Sequence, residues 1–147
     1  MKIYVASSWR CILQPGVVHI LRTAGHEVYD FRNPPNKTGF AWSEIDPDWL
    51  KWTPEKFVDR LYDRRAINGF NEDFAAMRWA DACVLVLPCG RSAHLEAGYF
   101  WGAGKPLYIL LSDDKFEPEL MYKGATGIHT DMVAVVDALG KAVPRGD

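Results

Sequence analysis

The sequence contains six consecutive apolar residues at Ala82–Leu87, which read ACVLVL. A continuously apolar run that includes β-branched side chains is typical of a parallel strand covered on both faces. A second run of this kind is Leu107–Leu111 (LYILL), and further strand patterns occur at Lys2–Ala6 (KIYVA) and Glu27–Phe31 (EVYDF). Together the four segments predict a parallel sheet.

Helical patterns lie between the predicted strands. In the N-terminal half, apolar residues recur at helical spacing in Gly16–Ala24, and Gly25 is a suitable C-terminal stop. Thr53 and Pro54 are the residue types of a helix N-terminus. The buried stripe of the helix that starts there would contain Phe57, Val58, Leu61 and Tyr62.

The C-terminal half contains three more helical patterns. One is predicted to begin at Asn71, one to begin at Ser92 and to end at Gly104–Pro106, and one to span about Met132–Lys141. Strands that alternate with helices indicate a doubly wound α/β sandwich.

Length and composition restrict the class of protein. The 147 residues fit one domain over residues 1–147, and 48% hydrophobic with 24% charged residues is typical of a globular protein. No apolar run approaches the roughly 18 residues of a membrane span. Met1–Ala6 reaches the polar Ser7 too early for a signal peptide. A net charge of −2 argues against binding to a nucleic-acid polymer, which requires clustered Lys and Arg.

Cysteine usage indicates a reducing compartment. Cys11, Cys83 and Cys89 are odd in number and form no CxxC pair, so neither a disulfide framework nor a zinc site is expected. Cys83 lies inside an apolar run, where a free thiol packs as a small hydrophobic group. We therefore expect a cytoplasmic protein without a metal or other cofactor and without membrane contact.

A long segment from Arg32 to Thr53 lacks a clear secondary-structure pattern. It contains three of the six tryptophans, including Trp42. Segments of more than about 15 residues without regular structure are uncommon unless they have a function. Two interpretations remain open. The segment is either a surface loop fixed to the core by its aromatic side chains, or an active-site loop whose aromatic faces stack on a flat ring.

The ends of the first and third strands mark the expected ligand site. In an open parallel sheet, ligands bind beyond the carboxyl ends of the strands, where the strand order reverses. The first strand leads directly into Ser7, Ser8 and Trp9. The third strand leads into a second polar set, which contains Gly90, Arg91, Ser92, His94 and Glu96. Within this set, Arg91, Ser92 and His94 could form an anion site at a helix N-terminus, although the segment lacks the lysine of a P-loop.

Two acidic residues are candidates for chemistry, and each has a structural alternative. With Ser92 as the helix cap, Glu96 lies one turn in, where an acid either stabilises the helix dipole or acts as an ionised nucleophile. With Asn71 as a cap, Asp73 falls in a first turn, where capping alone would explain an acid. Asp81 lies at the start of the third strand, at the opposite edge of the sheet from the expected ligand site, and is interpreted as structural.

The ordered set of these segments resembles the nucleoside 2-deoxyribosyltransferase family, which includes nucleotide N-glycosidases. The matching segments are Ile3–Trp9, Asn71–Asp73 with Ala80-Asp81, Glu96–Tyr99 and Gly104–Pro106. The resemblance implies a flavodoxin-like α/β fold, in agreement with the strand and helix pattern. The Trp-rich segment at residues 32–53 would be an insertion loop in that fold.

The resemblance also implies roles for particular residues. Glu96 matches the family nucleophile, Asp73 the acid that handles the departing base, and Tyr4 a tyrosine that orients the nucleophile. Family sites are often completed by a neighbouring subunit through the segment after the fourth strand, here near Glu119–Tyr122, which implies a homo-oligomer. The expected substrate-binding residues are Ser7, Ser8, Trp9, Gly90, Arg91, Ser92, His94, Trp42 and Met121.

The implied function is cleavage of the N-glycosidic bond of a (deoxy)nucleoside or nucleotide, with transfer of the sugar to another base or to water. One position departs from the family pattern. Many transferases have an acid six positions before the nucleophile, and nucleotide hydrolases often have a serine, whereas this sequence has Gly90. Two alternatives remain open: a hydrolase of the ribosyl bond in a dinucleotide such as NAD, and a non-catalytic nucleotide-binding module, which Gly90 favours.

Overall fold

The computed structural model describes residues 1–36, 39–112 and 116–142. Residue contacts group the chain into two compact units, Met1–Asp30 with Trp79–Asp147, and Phe31–Arg78. Residues 37 and 38 of the predicted insertion loop lie outside the described residues, as do residues 113–115 and 143–147 of the predicted domain. The extent of the domain stays a prediction.

A parallel sheet forms the centre of the first unit. Its five strands are paired in the order β2-β1-β3-β4-β5, which is the flavodoxin-like order. The strands are β1 (Lys2–Ala6), β2 (Glu27–Tyr29), β3 (Ala82–Val86), β4 (Leu107–Leu110) and β5 (Gly127–His129). The four strands predicted from the sequence are confirmed. The fifth escapes the sequence pattern because it is three residues long, begins with glycine and is not fully buried.

The register places the ends of β1 and β3 side by side. Ala6 pairs with Leu85, so the polar segments that follow the two strands leave the same edge of the sheet. Ser7 Oγ donates a hydrogen bond to the Val86 carbonyl at 2.9 Å and ties one segment to the end of the other strand. The strand order reverses between these two strands. The adjacency expected from topology is therefore confirmed.

Three helices of the first unit cover the two faces of this sheet. Helices α1 (Gln14–Thr23) and α5 (Met132–Lys141) contact each other, and α4 (Arg91–Gly102) contacts β1, β3 and β4. Gly25 and Gly104 follow α1 and α4 with φ of 89° and 68°, left-handed values that glycine tolerates best. The predicted ends of these two helices are confirmed.

Alternation along β1 shows which side chains face which helices. Ile3 and Val5 belong to the hydrophobic core that includes Val17 of α1 and Val135 of α5. Between them, Tyr4 projects to the other face, where its ring packs on Phe100 of α4 with centroids 5.8 Å apart. The face under α4 is therefore the face that carries Tyr4.

The second unit contains α2 (Pro54–Arg60) and most of α3 (Arg64–Trp79). Short 3-10 turns at Trp42–Glu44 and Trp49–Lys51 give the Trp-rich segment local structure. Thr53 caps α2 as predicted, because its hydroxyl accepts from the Lys56 N–H at 3.2 Å. The predicted buried stripe of this helix is wrong: none of its residues is buried.

Helix α3 begins seven residues before the predicted start at Asn71. Asp63 Oδ1 accepts the Arg65 backbone N–H at 2.9 Å, an N-terminal contact of the kind expected from Asn71. Asp73 consequently lies in the interior of a 16-residue helix, and a capping role no longer explains it.

Candidate functional site

Glu96 lies in the second turn of α4. The helix begins at Arg91 with Gly90 as its N-cap, so the predicted cap, Ser92, is instead a first-turn residue. The stabilising effect of a helix dipole on an acid falls off within the first turn. The dipole is therefore a weaker explanation of Glu96 than the sequence suggested.

Glu96 lies three residues after Ala93 and four before Phe100, two buried residues on the side of α4 that faces the sheet. Burial raises the pKa of Cys83 most, and the negative charge of Glu96 raises it further. Cys83 is paired with Tyr4 across β3 and β1, so both side chains project to the face that α4 covers. The arrangement brings one acid of α4 to the Tyr4 side of the strand-order reversal.

Tyr4 is held rigidly at this position. Its side chain is buried, and its ring stacks on Tyr29 with centroids 5.4 Å apart and planes 15° from parallel. Its second aromatic neighbour, Phe100, lies one helical turn after Glu96 on α4. This placement is compatible with the predicted orienting role of Tyr4, which stays a prediction.

The loop between β3 and α4 forms a cluster with a later segment. His94 Nδ1 lies 2.9 Å from the Gly90 carbonyl oxygen, and His94 Nε2 lies 2.8 Å from the Tyr122 hydroxyl. The His94 and Tyr122 rings are stacked, with centroids 5.8 Å apart. Cys89 Sγ lies 3.6 Å from His94 Nδ1. His94 was expected among the substrate-binding residues, and Tyr122 only within the segment that would complete a neighbouring subunit's site; Cys89 was not expected.

The Cys89–His94 pair lacks the properties of a cysteine nucleophile. Burial, followed by Cys11 and Glu96, raises the pKa of Cys89 to about 12, so the thiol is protonated at neutral pH. The Gly90 carbonyl can only accept a hydrogen bond, so His94 Nδ1 carries a proton and cannot remove one from the thiol. Glu96 therefore stays the candidate nucleophile predicted from the sequence.

The other predicted contacts of the first unit lie on its surface or at its edge. Ser8 Oγ accepts the Arg10 backbone N–H at 3.2 Å, which shapes the turn after β1. Trp9 is 55% exposed. Arg91 and Ser92 are exposed at the start of α4. These residues are within the segments that leave the β1 and β3 ends, as predicted, and their contact with a substrate stays a prediction.

Asp81 is at the edge of the sheet opposite to the ends of β1 and β3. Its Oδ2 accepts the Lys2 backbone N–H at 2.8 Å, at the start of β1. The structural interpretation of Asp81 is therefore confirmed.

A buried polar pair at the carboxyl edge has no counterpart among the residues predicted from the sequence. Gln14 is fully buried at the start of α1, and its Nε2 donates to Asp30 Oδ1 at 2.8 Å, just after β2. Gln14 Oε1 is buried without a hydrogen-bond partner among the described residues. In the sequence, only Asp30 indicates this pair, because it interrupts an apolar strand pattern. A glutamine beside a proline at a helix start is normally expected to be exposed.

Two predicted site residues, Asp73 and Trp42, belong to the second unit. Trp42 is the centre of an aromatic cluster, with ring centroids 4.8 Å from Phe40, 5.7 Å from Trp52 and 5.7 Å from Phe57. Contacts with its own unit thus hold the Trp-rich segment together. The participation of Asp73 and Trp42 in a site with Glu96 stays a prediction.

The second unit also contains a cavity of about 380 Å³ that the sequence did not predict. Arg65 on its wall donates to Asp63 Oδ1 and to the Glu44 carbonyl, so its guanidinium is already engaged. The lining residues are Gly39, Phe40, Glu44, Arg65, Asn68, Gly69, Asn71 and Glu72. Five of these side chains are polar or charged, and Phe40 is the one aromatic side chain among them.

Met121 lies in a 3-10 turn, Leu120–Gly124, and is 62% exposed. This segment follows β4 and contains the Tyr122 that contacts His94. Its predicted role in a neighbouring subunit stays a prediction.

The described residues were also compared with the requirements of a metal site and of a membrane-spanning helix. Within residues 1–36, 39–112 and 116–142, no three His, Cys, Asp or Glu side chains are grouped so that they could hold a metal ion. No helix in that part of the chain is both long and apolar enough to cross a membrane.

Comparisons with known proteins show a similarity of structure but not of sequence. No family model and no curated protein sequence matches this chain. A solved structure of the 2-deoxyribosyltransferase from the psychrotolerant bacterium Bacillus psychrosaccharolyticus is similar to it, with a TM-score of 0.64 and 18% identity. The similarity covers 93% of this chain and 91% of that one. At this identity the likeness establishes the fold alone: this chain has the flavodoxin-like α/β fold of a 2-deoxyribosyltransferase.

Proposed function

We propose that this protein cleaves the N-glycosidic bond of a (deoxy)nucleoside or nucleotide, with Glu96 as the nucleophile. The observation that carries the proposal is the position of Glu96. Glu96 lies one helical turn before Phe100, which packs on Tyr4, and its charge reaches Cys83 beside the reversal of strand order, where flavodoxin-like folds bind their ligands. The 2-deoxyribosyltransferase with the same fold supports this class of reaction.

A carboxylate at this position suits the chemistry of the bond. Cleavage of a C1′–N bond develops positive charge at C1′ and negative charge on the departing base. The Glu96 carboxylate stabilises the first charge and attacks C1′, so that a C1′–O ester forms while the bonding electrons leave with the base. In the second step a nitrogen of another base, or water, attacks C1′ as the C1′–O ester bond breaks, and Glu96 leaves as a carboxylate. The attacking group gives up its proton to the residue that protonated the departing base.

The departing base needs a proton, and the family resemblance assigns that role to Asp73. Its position in the interior of α3 removes capping as an alternative explanation. Asp73→Asn is expected to slow substrates with poor leaving groups more than substrates whose base leaves readily. Equal slowing of both would contradict a role in protonation.

The choice between transfer and hydrolysis depends on water at the ester. A closed aromatic loop excludes water and favours transfer to a second base. Trp42 is the residue of the Trp-rich segment predicted to contact the base. The substrate is a small nucleoside or nucleotide in either case, and the homo-oligomer implied by the resemblance remains part of the proposal.

The test is chromatography of nucleosides, nucleotides and NAD after incubation with the protein, with and without an acceptor base. Glu96→Gln removes the charge of the nucleophile and nearly preserves its shape. Glu27→Gln is the matched control, because Glu27 is exposed at the amino end of β2, away from the strand ends where ligands bind. The wild type and the control are expected to release free base, and Glu96→Gln to lose at least about 1000-fold in rate.

The pattern of products separates the alternatives. Release of base only when an acceptor is present identifies a transferase, and release into water a hydrolase. Release of nicotinamide from NAD alone would favour the dinucleotide hydrolase. Binding without release of base, equal in the wild type and Glu96→Gln, would refute the proposal and favour a non-catalytic module.

A further inference from the structure

The His94–Tyr122 pair has a defined hydrogen-bond polarity. The Gly90 carbonyl, 2.9 Å from His94 Nδ1, can only accept, so Nδ1 carries the imidazole proton. In the neutral imidazole, Nε2 is then a bare acceptor. The Tyr122 hydroxyl, 2.8 Å away, must donate its single proton to that nitrogen. The opposite tautomer would place the lone pair of Nδ1 against the carbonyl oxygen, which is repulsive.

This polarity leaves Tyr122 with lone pairs only. A phenol has one proton and two acceptor lone pairs, so once the proton is committed the oxygen accepts and cannot donate. Burial, followed by Cys89 and Glu119, raises the pKa of Tyr122, which keeps the phenol protonated at neutral pH. The stacked His94 and Tyr122 rings hold the hydroxyl in place.

The pair lies close to the proposed nucleophile. The charge of Glu96 reaches Cys89, whose Sγ is 3.6 Å from His94 Nδ1. His94 and Glu96 also both belong to the first two turns of α4, which begins just after β3 ends. Tyr122 is half-buried there, on the segment that follows β4.

We propose that Tyr122 accepts a hydrogen bond from a hydroxyl group of the substrate sugar, and that His94 is the positioning residue that sets this polarity. The inference rests on the proposed function, since it names a contact within the same site. A sugar hydroxyl is a donor and fits such an oxygen. A phosphate near neutral pH carries acceptor oxygens, so a phosphate at this point would face the lone pairs of Tyr122.

Tyr122→Phe tests the contact, because it removes the hydroxyl and keeps the stacked ring. The measurement is kcat/KM for a nucleoside and for its 5′-deoxy and 3′-deoxy analogues, with Tyr62→Phe as control, since Tyr62 is 77% exposed on the second unit. We expect Tyr122→Phe to lose about tenfold on the parent nucleoside, mainly in KM. On the analogue that lacks the contacted hydroxyl, the loss is expected to disappear. Equal losses on all three substrates would overturn the contact.

Two variants of His94 test the positioning role. Gln retains an oxygen that can accept from Tyr122, whereas Leu removes the acceptor. His94→Gln is expected to keep most of the discrimination between the parent and the deoxy analogue, and His94→Leu to lose it. Equal behaviour of the two variants, with thermal unfolding showing that both are folded, would contradict the positioning role.

The inference can fail separately from the proposed function. Suppose that the wild type releases base, but that Tyr122→Phe leaves the ratio of kcat/KM between the parent nucleoside and each deoxy analogue unchanged. Only the inference is then overturned. If no nucleoside is cleaved, calorimetric Kd values for the same three compounds replace kcat/KM. A Tyr122→Phe effect confined to the parent would then support the contact and refute only the proposed reaction.

Discussion

Asp46 links the Trp-rich segment to the start of α2 through three hydrogen bonds. Its carboxylate accepts from Trp52 Nε1 at 2.7 Å, from Lys56 Nζ at 2.9 Å and from the Asp48 backbone N–H at 2.9 Å. The bond from Trp52, followed by that from Lys56, holds the pKa of Asp46 far below its ordinary range. An anion that is stabilised only in the folded chain favours folding wherever it is ionised.

We expect Asp46→Asn to lower the stability of the protein at pH 7. The folded pKa is depressed, so the advantage of the wild type is complete above the unfolded value of about 3.9 and is lost as the pH falls below it. Urea midpoints followed by tryptophan fluorescence between pH 7 and pH 3 measure this difference. The control is Asp48→Asn, whose exposed ion pair with Lys51 should matter little. A difference between wild type and Asp46→Asn that does not change with pH would contradict this account.

Gly124 is the one glycine of the 3-10 turn that carries Tyr122. A Cβ at this position would lie 2.5 Å from Trp101 Cε2 on α4, well inside van der Waals contact. We expect Gly124→Ala to destabilise the protein by about 1–3 kcal/mol. Gly140→Ala in α5, where a Cβ meets no atom within 4 Å, should cause no loss and a gain of up to about 1 kcal/mol. Equal urea midpoints for the two variants would contradict this prediction, because they would mean that the Trp101 ring moves aside without a loss of stability.

At the scale of elements, the apolar strands were predictable and several helix starts were not. β3 is recognised because every residue of it is buried, which leaves a continuous apolar run in the sequence. The start of α3 depends on Asp63, while Asn71 offers an equally good cap type eight residues later. A sequence shows which residues can cap a helix, and only the folded chain shows which one does.

The contact of α4 with the β3–α4 loop makes Cys89 a reporter of Glu96. Burial, Cys11 and Glu96 raise the pKa of the Cys89 thiol to about 12, so we expect slow alkylation by iodoacetamide in the folded protein. Glu96→Gln removes one of these causes and should speed the reaction at pH 8.5. Glu27→Gln should leave the rate unchanged. An unchanged rate in Glu96→Gln, measured by peptide mass spectrometry, would place the Glu96 charge away from this loop.

At the scale of the whole molecule, stability is expected to depend on the sheet. Leu85 in β3 is 1% exposed, and Leu85→Ala should cost about 2–5 kcal/mol, a large part of the roughly 5–15 kcal/mol typical of a folded protein. Leu95→Ala on α4 is the control, since that side chain is 77% exposed. The free energies of unfolding of both variants check this. Similar losses would contradict the assignment of the core.

The topology of the molecule allowed the grouping of several candidate residues at one sheet edge to be predicted. Parallel strands that alternate with helices place the ends of β1 and β3 together, so the order of elements along the chain is enough to bring Ser7, Gly90 and Glu96 to one edge of the sheet. The His94–Tyr122 bond was not predictable, because it joins residues 28 positions apart through side chains that no periodicity marks. The same holds for the buried Gln14–Asp30 pair.

The most direct test of Glu96 as the nucleophile is mass spectrometry of the protein quenched in acid during turnover. The account predicts a mass increase of one glycosyl group on the peptide that contains Glu96 in the wild type and in Glu27→Gln. The increase should be absent in Glu96→Gln. An adduct on another residue, or base release by Glu96→Gln at the wild-type rate, would contradict the account.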